Sequence, residues 1–596
     1  MSETEDPAVV TDRADGAFQS VTETVARVDD LAVGTMKMAK VGDTPVALIR
    51  TADGVHAIDN ACPHQGYGLV TGALADGIVT CQWHNWKFDV VTGRCLMGEE
   101  DVACHKVDIE DGEVSVTVTK PSAAERRQRL WPSLRRGLER DYVGQMARDT
   151  ARLLDAGASP VEIMAEALKI AAPKADDGIG HSMAMAADAL AIAEVRTGDD
   201  RLLALVQGLS GLAETTRDYP INQVPGGDPS IDVGAAAEAE DLPSALSGLM
   251  GRLERGDDPG AIRSLFIDIV SQHHLSYGHG VIYTQKSFEL LERTGWELAP
   301  HLLPHLLARI VNSTREDTLP YMRKAMRELT ALDLGRLVEV ASAADGTHDR
   351  SDGGLEGDSG WDADAFANML LQAQAAPIAA AAAAIEAGAG VDALLDAVVL
   401  AVSERLLRHD LQVEFDNQEL FGWLDITHGL TTARAARWSW HQHPSPSALR
   451  LALYAVWLAF DTGRNERQHQ RTAARSPMEA WLGADPQVDS IGDAVLWRRP
   501  DDAVAVALTE DPDIVSQQLL DASLADRAGS FIVVAHLVKT AQAAVEETQR
   551  AGEGADGHLP LAAAARFLAA PRLERFVARN VAESADVVRT GHPPKR

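Results

Sequence analysis

The sequence contains little cysteine, little positive charge and no long apolar run. Of its 596 residues only four are cysteines, and all of them lie between positions 62 and 104. A disulfide framework for the rest of the chain is therefore excluded, and the four thiols need a local explanation.

Positive charge is also scarce, since 55 Lys and Arg face 88 Asp and Glu, a formal net charge of −33. Phosphate contacts need clustered basic side chains, so no binding to nucleic acid or anionic lipid is expected, whereas a redox protein fits as a partner. The most apolar stretch, 376–401, is interrupted by Glu386, Asp392 and Asp396, so no transmembrane helix is predicted. Residues 1–17 are acidic and lack the apolar core of a signal peptide, which predicts a disordered N-terminus and a cytoplasmic protein.

Two patterns divide the chain into an α+β multidomain protein. Residues 18–120 alternate apolar and polar positions between turn signals, which predicts an N-terminal all-β domain. Residues 121–596 place apolar positions three and four apart, which predicts a large all-α domain. Gly, Asp and Pro are concentrated at 215–234 and 341–360, which are predicted to be loops or disordered breaks. One continuous bundle is preferred for the helical part, although two domains also fit the pattern.

The spacing C-x-H-x16-C-x2-H carries the clearest chemistry. It comprises Cys62, His64, Cys81 and His84, two thiols and two imidazoles on two segments of the β domain. This donor set suits a [2Fe–2S] cluster that has two cysteines on one iron and two histidines on the other. Cys95 and Cys104 fall in later strand segments and are expected to be buried core thiols without a role.

The segments around these four residues resemble the Rieske family. The resemblance is carried by CPHQG at 62–66, CQWHNWKFD at 81–89 and VTG at 91–93. It implies that Cys62 and Cys81 bind the buried iron and that His64 and His84 bind the outer one. The sequence departs from the family at Asn85, where glycine is usual.

The resemblance also indicates which kind of Rieske domain this is. Respiratory members have a disulfide between the two ligand loops, at places that Tyr67 and Trp83 occupy here, so the lower-potential, ferredoxin-like kind is expected. Two Fe³⁺, two sulfides and two thiolates sum to zero charge, and reduction gives −1. Histidine ligation therefore raises the potential into a range of about −150 to +300 mV.

In the helical part, histidines recur at or near predicted helix starts, at His181, His279, His428 and His536. The recurrence is compatible with a repeated hairpin unit and with coincidence in an alanine-rich chain. The segments HHLSYGHGVIY, DITHGLTTARAAR and GHSMAMAADAL resemble the questin oxidase-like family, which implies an all-α architecture.

A second metal site is a further hypothesis for this region. Its predicted ligands are His181, His274, His279 and His428, with His441, His443, His536, Glu289, Glu414 and Asp425 as further candidates. A ring-hydroxylating oxygenase site is not predicted, because the family motif acid-x2-His-x4-His has Ser271 in the acid position before His274 and His279.

Two functions follow. In the preferred one, the chain is an electron-transfer protein that passes single electrons between a partner oxidoreductase, such as an uptake [NiFe] hydrogenase, and an acceptor such as a quinone pool. Membrane association would then come through the partner. In the alternative, the chain is a self-contained oxidase or monooxygenase in which the cluster feeds the His-rich site and an aromatic or quinone ligand binds. No G-x-G-x-x-G follows a strand, so a separate partner supplies electrons in both cases.

Overall fold

A computed structural model describes residues 19–347, 361–416, 419, 421–477, 480–481, 486–552, 557–572 and 577–591. The chain divides into two compact units. The first comprises Met1–Gly137 and Tyr142–Ser159, and the second comprises Leu138–Asp141 and Pro160–Arg596. The predicted disordered residues 1–17 lie outside the described part.

The first unit contains the predicted β domain. Its strands are β1 Gln19–Arg27, β2 Thr35–Val41, β3 Thr44–Arg50, β4 Val55–Asp59, β5 Ala73–Ala75, β6 Ile78–Thr80, β7 Lys87–Asp89, β8 Cys95–Met97, β9 Cys104–Glu110 and β10 Glu113–Lys120. They form an antiparallel six-stranded sheet in the order β1-β10-β9-β4-β3-β2 and a smaller sheet in the order β5-β6-β7-β8. Asp111 and Gly112 join β9 to β10 with positive φ at both positions, as a tight hairpin requires.

The core of this unit includes the two cysteines of the spacing motif. Cys62 and Cys81 are buried in one apolar cluster with Ile58, Val79 and Phe88. Close packing in this core therefore fixes the two segments that carry the motif.

Two helices also belong to the first unit, so its end lies beyond the predicted boundary at 120. They are α1 (Ala123–Glu139), as far as Gly137, and α2 (Val143–Asp155). The Glu100 carboxylate forms ion pairs with Arg148 and Arg152 of α2, at 3.6 and 3.4 Å. The spacing of apolar residues along the chain predicts that these residues are helical. It does not predict which of the two units they pack in.

The second unit is helical, which confirms the α+β architecture. Its helices are α3 Pro160–Ala171, α4 His181–Val195, α5 Gly198–Thr216, α6 Val233–Glu238, α7 Leu242–Arg255, α8 Pro259–Ser271, α9 His279–Thr294, α10 Ala299–Asn312, α11 Arg323–Thr330, α12 Leu334–Thr347, α13 Ala363–Leu370, α14 Pro377–Glu386, α15 Val391–Arg408, α16 Trp423–Gln442, α17 Pro446–Asp461, α18 Arg464–Gln468, α19 Ile491–Leu496, α20 Pro500–Thr509, α21 Pro512–Ser523, α22 Phe531–Ala551, α23 Leu559–Ala569 and α24 Val577–Thr590. Within the described ranges, none of these helices has both the length and the apolar character that crossing a bilayer requires.

The two predicted breaks differ in how much of each is helical. Most of 215–234 is the connection between α5 and α6. The break at 341–360 begins too early, because 341–347 are the last residues of α12. Ala341 is buried there, and the Asp345 carboxylate accepts a hydrogen bond from the Trp440 indole at 2.9 Å. These tertiary contacts hold a Gly- and Asp-containing segment in a helix, and residues 348–360 lie outside the described part.

Four of the helices form the centre of the second unit. Helices α4, α9, α16 and α22 pack pairwise around one another, α4 and α16 each touching both α9 and α22. Helix α4 is buried on most of its surface. It is rich in alanine, whose small side chain allows the neighbouring helices to approach closely. Each of the four helices brings one histidine into this centre, from its first or second turn.

Candidate metal centres

Two tight loops hold the four residues of the spacing motif. The first follows β4 and is closed by two backbone hydrogen bonds, from Cys62 N–H to Tyr67 O and from Gly66 N–H to Cys62 O, both 2.8 Å. The second joins β6 to β7 and is closed by Cys81 N–H donating to Trp86 O at 2.8 Å. Each loop thus presents one thiol and one imidazole on a rigid turn.

The two thiols of the motif are buried side by side. Cys62 and Cys81 are only 1% and 2% exposed, and neither forms a disulfide. Burial raises the pKa of the Cys62 thiol to about 11, and the neighbouring Cys81 adds to the effect. Two adjacent buried thiols become thiolates readily only when a cation binds them, which is the environment that a metal cluster provides.

The two imidazoles lie next to each other but differ in exposure. The ring centroids of His64 and His84 are 4.3 Å apart in an edge-to-face arrangement. His84 is exposed, whereas His64 is buried and stacks on Trp86 with 4.9 Å between ring centroids. His64 Nε2 lies 2.7 Å from Tyr142 Oη, while its Nδ1 is buried and finds no hydrogen-bond partner in the described part of the chain. Burial, then His84 and Arg148, lower the pKa of His64.

Aromatic and polar contacts support the outer parts of both loops. Tyr67 and Trp83 occupy the places where respiratory Rieske domains have the loop disulfide. Their rings stack with 4.6 Å between centroids. Asn85 has a φ of +59°, a left-handed conformation that asparagine tolerates better than most side chains. The asparagine at this usual glycine position therefore keeps the turn, and its amide donates to Met97 Sδ at 3.3 Å.

These residues fit an iron–sulfur cluster. The site offers two adjacent buried thiols, a buried imidazole nitrogen to which no described residue hydrogen-bonds, and a second imidazole in contact with the first. An antiparallel β domain with two such loops defines the class of iron–sulfur domains that combine cysteine and histidine donors.

Comparison with known proteins identifies the family. Residues 22–108 match the Rieske [2Fe-2S] domain. The chain is 34% identical over 79 residues to the anthranilate 1,2-dioxygenase ferredoxin subunit of Burkholderia cepacia, covering 13% of this chain and 73% of that protein. It is 42% identical over 71 residues to the alkene monooxygenase ferredoxin component of Xanthobacter autotrophicus, covering 12% of this chain and 58% of that protein.

A third relative is much longer than the matched region. Apoptosis-inducing factor 3 of Mus musculus is 34% identical over 102 residues, and the chain covers 17% of its length. The chain belongs to the Rieske [2Fe–2S] family, and its cofactor is a Rieske-type [2Fe–2S] cluster.

The two cysteines outside the motif differ in burial. The prediction that Cys104 is a buried core thiol is wrong, since Cys104 is exposed, whereas Cys95 is partly buried against the core.

A second group of metal donors lies in the helical unit. His181, His279, His428 and His536 direct their Nε2 atoms towards one another, and the four atoms all lie within 4.8 Å. The separations are 3.0 Å from His181 to His279, 3.0 Å from His279 to His428, and 3.4 Å from His428 to His536. We call this group the four-histidine centre.

The outward nitrogens of the same rings determine which atoms face the centre. Nδ1 of His279, His428 and His536 donates to a backbone carbonyl one turn earlier, at 2.5, 2.6 and 2.7 Å. Nδ1 of His181 lies 3.0 Å from the hydroxyl of Tyr283. With Nδ1 protonated, each Nε2 carries a lone pair, so the three carbonyl-bonded rings all aim an acceptor at the centre.

Burial keeps the four imidazoles neutral. It lowers the pKa of all four below the usual value, to about 3 for His279, and nearby Lys539 contributes in each case. Neutral imidazoles with facing lone pairs repel at 3.0 Å unless a cation lies between them. This is the arrangement that a divalent transition metal satisfies.

Three of the four predicted second-site residues meet in this centre, and His274 does not. The His274 ring packs against Tyr454 and Trp457 instead, and its Nε2 is 3.8 Å from Glu316. Even on a continuous helix a spacing of five residues would place His274 and His279 about 140° apart around the axis. Here α8 also ends at Ser271 and α9 begins at His279, so the two histidines do not share a helix. The fourth imidazole is that of His536.

The remaining candidates make other contacts. His443 lies at the end of α16, His441 bonds Asp392 at 2.9 Å, and Glu289 pairs with Lys286 and Arg434 at 2.9 and 2.8 Å. Glu414 bonds His409 at 3.0 Å, and Asp425 accepts from Gly422 N–H at the start of α16. None of them belongs to a group of potential metal donors within the described part of the chain.

Sequence reasoning missed three side chains around the centre. Tyr283 bonds His181, and Tyr277 places its ring 5.7 Å from that of His428. Lys539 is buried, its Nζ makes no hydrogen bond within the described part, and burial lowers its pKa to about 7. Tyr283 and Lys539 carried a signal, because they follow His279 and His536 by four and three residues on the same helices and therefore share their faces.

Proposed function

We propose that the chain is an electron-transfer protein whose cluster is held by Cys62, Cys81, His64 and His84. The observation that carries the proposal is the convergence of these four side chains, with the thiols inside the core and one imidazole at the surface. The cluster, when bound, accepts and releases one electron. The Cys62 and Cys81 thiolates fix it in the domain, and the imidazoles connect it to the surface.

The surface around His84 suits transient contact with a redox partner. Trp83 and Met97 are 56% and 50% exposed, and Tyr67 beside them is also exposed. Exposed aromatic and methionine side chains are enriched in protein interfaces. A rim of this kind around an exposed imidazole brings a partner close to the cluster without burying a large area.

Two of the relatives supply the choice of partner. Their names describe ferredoxin components of an alkene monooxygenase and of an anthranilate dioxygenase. We therefore propose an oxygenase or a reductase as the partner. The uptake hydrogenase, the quinone pool and the cytoplasmic location remain predictions from the sequence, as does the resemblance of the helical part to the questin oxidase-like family.

The test is metal analysis and EPR on the anaerobically purified full chain. We expect two irons and two acid-labile sulfides in the first unit and a Rieske-type signal after reduction with dithionite. His84→Ala should abolish that signal, whereas His56→Ala, which removes an imidazole bonded to Thr51 in the same domain, should keep it. A Rieske signal that survives His84→Ala would contradict the ligand assignment.

We propose as a second candidate that the chain is an oxidase or monooxygenase with a metal at the four-histidine centre. The convergence of four Nε2 atoms within 4.8 Å favours this candidate. Imidazole donors suit iron, zinc or copper, and a redox-active metal would accept the electrons that the cluster delivers. The half-buried Tyr277 and the buried Tyr283 beside the centre fit an aromatic or quinone ligand.

Metal content separates the two candidates. An oxidase should contain about one metal per chain beyond the cluster, and His428→Ala and His536→Ala should lose it while the Rieske signal persists. His441→Ala is the matched control, because His441 lies on the same helix as His428 but bonds Asp392 instead. If the wild-type chain holds no additional metal after growth with iron, zinc and copper, the chain is an electron carrier alone.

A further inference from the structure

One hydrogen bond reaches a Rieske histidine from outside the matched domain. Tyr142 Oη lies 2.7 Å from His64 Nε2. Tyr142 stands immediately before α2, well past residues 22–108, where the Rieske match ends. The added helices of the first unit therefore contact a proposed cluster ligand directly.

Side chains of α2, of the residue before it and of the second ligand loop together cover His64. Arg148 of α2 donates from Nη1 to the His64 carbonyl oxygen at 2.5 Å. Trp86 stacks on the imidazole with only 16° between the ring planes, and the Tyr142 ring lies 5.9 Å away. As a result His64 is only 8% exposed, whereas His84 is exposed.

The two nitrogens of His64 have different environments, which sets their roles. Nδ1 is buried and has no hydrogen-bond partner among the described residues, so it is the atom available to a metal. Nε2 then carries the proton and donates it to Tyr142 Oη. A metal-bound histidine whose other N–H is held by an acceptor has a fixed tautomer and ring orientation and is a more basic ligand.

A more basic ligand stabilises the oxidised cluster more than the reduced one, because it donates more electron density to iron. Shielding from water acts in the same direction, since the cluster is neutral when oxidised and carries −1 when reduced, and burial disfavours the charged form. Both effects lower the reduction potential. The Arg148 guanidinium opposes them in part by attracting the negative charge of the reduced state.

We propose that Tyr142 is a positioning residue that fixes His64 on the cluster, lowers its reduction potential, and leaves His84 as the imidazole through which electrons exchange with a partner. The proposal rests on the ligand roles of His64 and His84 in the proposed function. It assigns to the first two helices a task that the matched Rieske domain alone does not contain.

The test compares Tyr142→Phe with Tyr67→Phe in the full-length chain. Both substitutions remove one hydroxyl near a ligand loop, but Tyr67 stacks on Trp83 and contacts no imidazole nitrogen through its hydroxyl among the described hydrogen bonds. In an EPR-monitored redox titration, Tyr142→Phe should have a higher midpoint potential than wild type, and Tyr67→Phe should not. Equal potentials in all three proteins, or an equal rise in Tyr67→Phe, would overturn the proposal.

A second measurement needs no substitution. After transfer of the reduced wild-type protein to D₂O, electron–nuclear double resonance should show one histidine N–H that exchanges quickly, from His84, and one that exchanges slowly, from His64. Equal exchange of the two protons would overturn the proposal even if Tyr142→Phe failed to fold. Absence of any Rieske signal from the wild-type protein would instead refute the proposed function, so the two failures are distinguishable.

Discussion

The two histidine sites of this protein are built in opposite ways. In the Rieske site all four proposed donors come from one stretch between residues 62 and 84, on two loops of one small domain. The four-histidine centre draws on helices that begin as far apart in the chain as His181 and Phe531. The first site depends on local turns, whereas the second depends on the packing of a whole helical unit.

The sites also differ in how their imidazoles are held. In the helical centre three Nδ1 atoms donate to backbone carbonyls of their own chain segment, and His428 and His536 are buried while His181 and His279 are half-buried. In the Rieske site one imidazole is held by a tyrosine hydroxyl and the other is exposed. A mostly buried centre suits chemistry that must be kept from solvent, and a half-exposed site suits exchange with a partner.

The largest expected effect is loss of one site with the other intact. Cys81→Ser should abolish the cluster, because a serine hydroxyl is a much poorer ligand for iron than a thiolate, and it should leave any metal in the helical unit in place. Iron, sulfide and visible circular dichroism measure the cluster. Cys104→Ser is the control, since that thiol is exposed and outside the motif. Loss of both metals in Cys81→Ser would show that the sites are not independent.

The converse substitution acts on the helical centre. His279→Ala removes the imidazole that lies 3.0 Å from both His181 and His428, so it should lower the affinity for a bound metal by at least 10-fold. The cluster spectrum should not change. Metal titrations of the chelator-treated protein followed by calorimetry provide the measurement. His274→Ala, five residues earlier and outside the centre, should bind the metal as wild type does. An unchanged affinity in His279→Ala would exclude the centre as a metal site.

The difference between the sites also explains what the sequence could and could not predict. The β domain, its cofactor and the residues of the spacing motif follow from local pattern, since turns and short loops are encoded by neighbours. His536 could not be chosen over His274, because that choice depends on the packing of α22 against α4 and α16, which brings His536 to His428, 108 positions earlier in the chain. Tyr142 was missed for a similar reason, since its contact with His64 joins residues 78 positions apart.

A smaller, graded effect is expected from pH. The four buried histidines have lowered pKa values, so below about pH 6.5 the unfolded chain binds protons that the folded chain does not. The contribution of these histidines to the unfolding free energy of the metal-free helical unit is therefore fully present above that pH and is lost as the pH drops towards 3. The slope is at most about 1.4 kcal/mol per pH unit for each histidine. Urea unfolding between pH 7 and 5 measures it.

The matched variant for this slope is His279→Gln, which removes one titrating group and keeps a polar side chain. Its unfolding free energy should depend less steeply on pH than that of wild type. Metal binding should raise the stability without changing this slope between pH 7 and 5, because the folded imidazoles are already neutral there and the neutral form is the one that binds. A slope that is the same in wild type and variant would mean that the buried ring of His279 does not stay neutral in the folded state.

The smallest effect is expected at Asn85, where the Rieske site departs from its family. Asn85→Gly keeps the left-handed turn without a side-chain penalty but loses the contact with Met97, so stability should change by less than about 1 kcal/mol and the cluster should persist. Asn85→Ala should cost about 1 to 2 kcal/mol, because alanine lacks the polar group that makes this conformation tolerable. Thermal unfolding of the cluster-loaded chain measures both. If the two variants were equally destabilised, the amide contact with Met97, which both lose, and not the backbone conformation, would be what holds the second ligand loop in place.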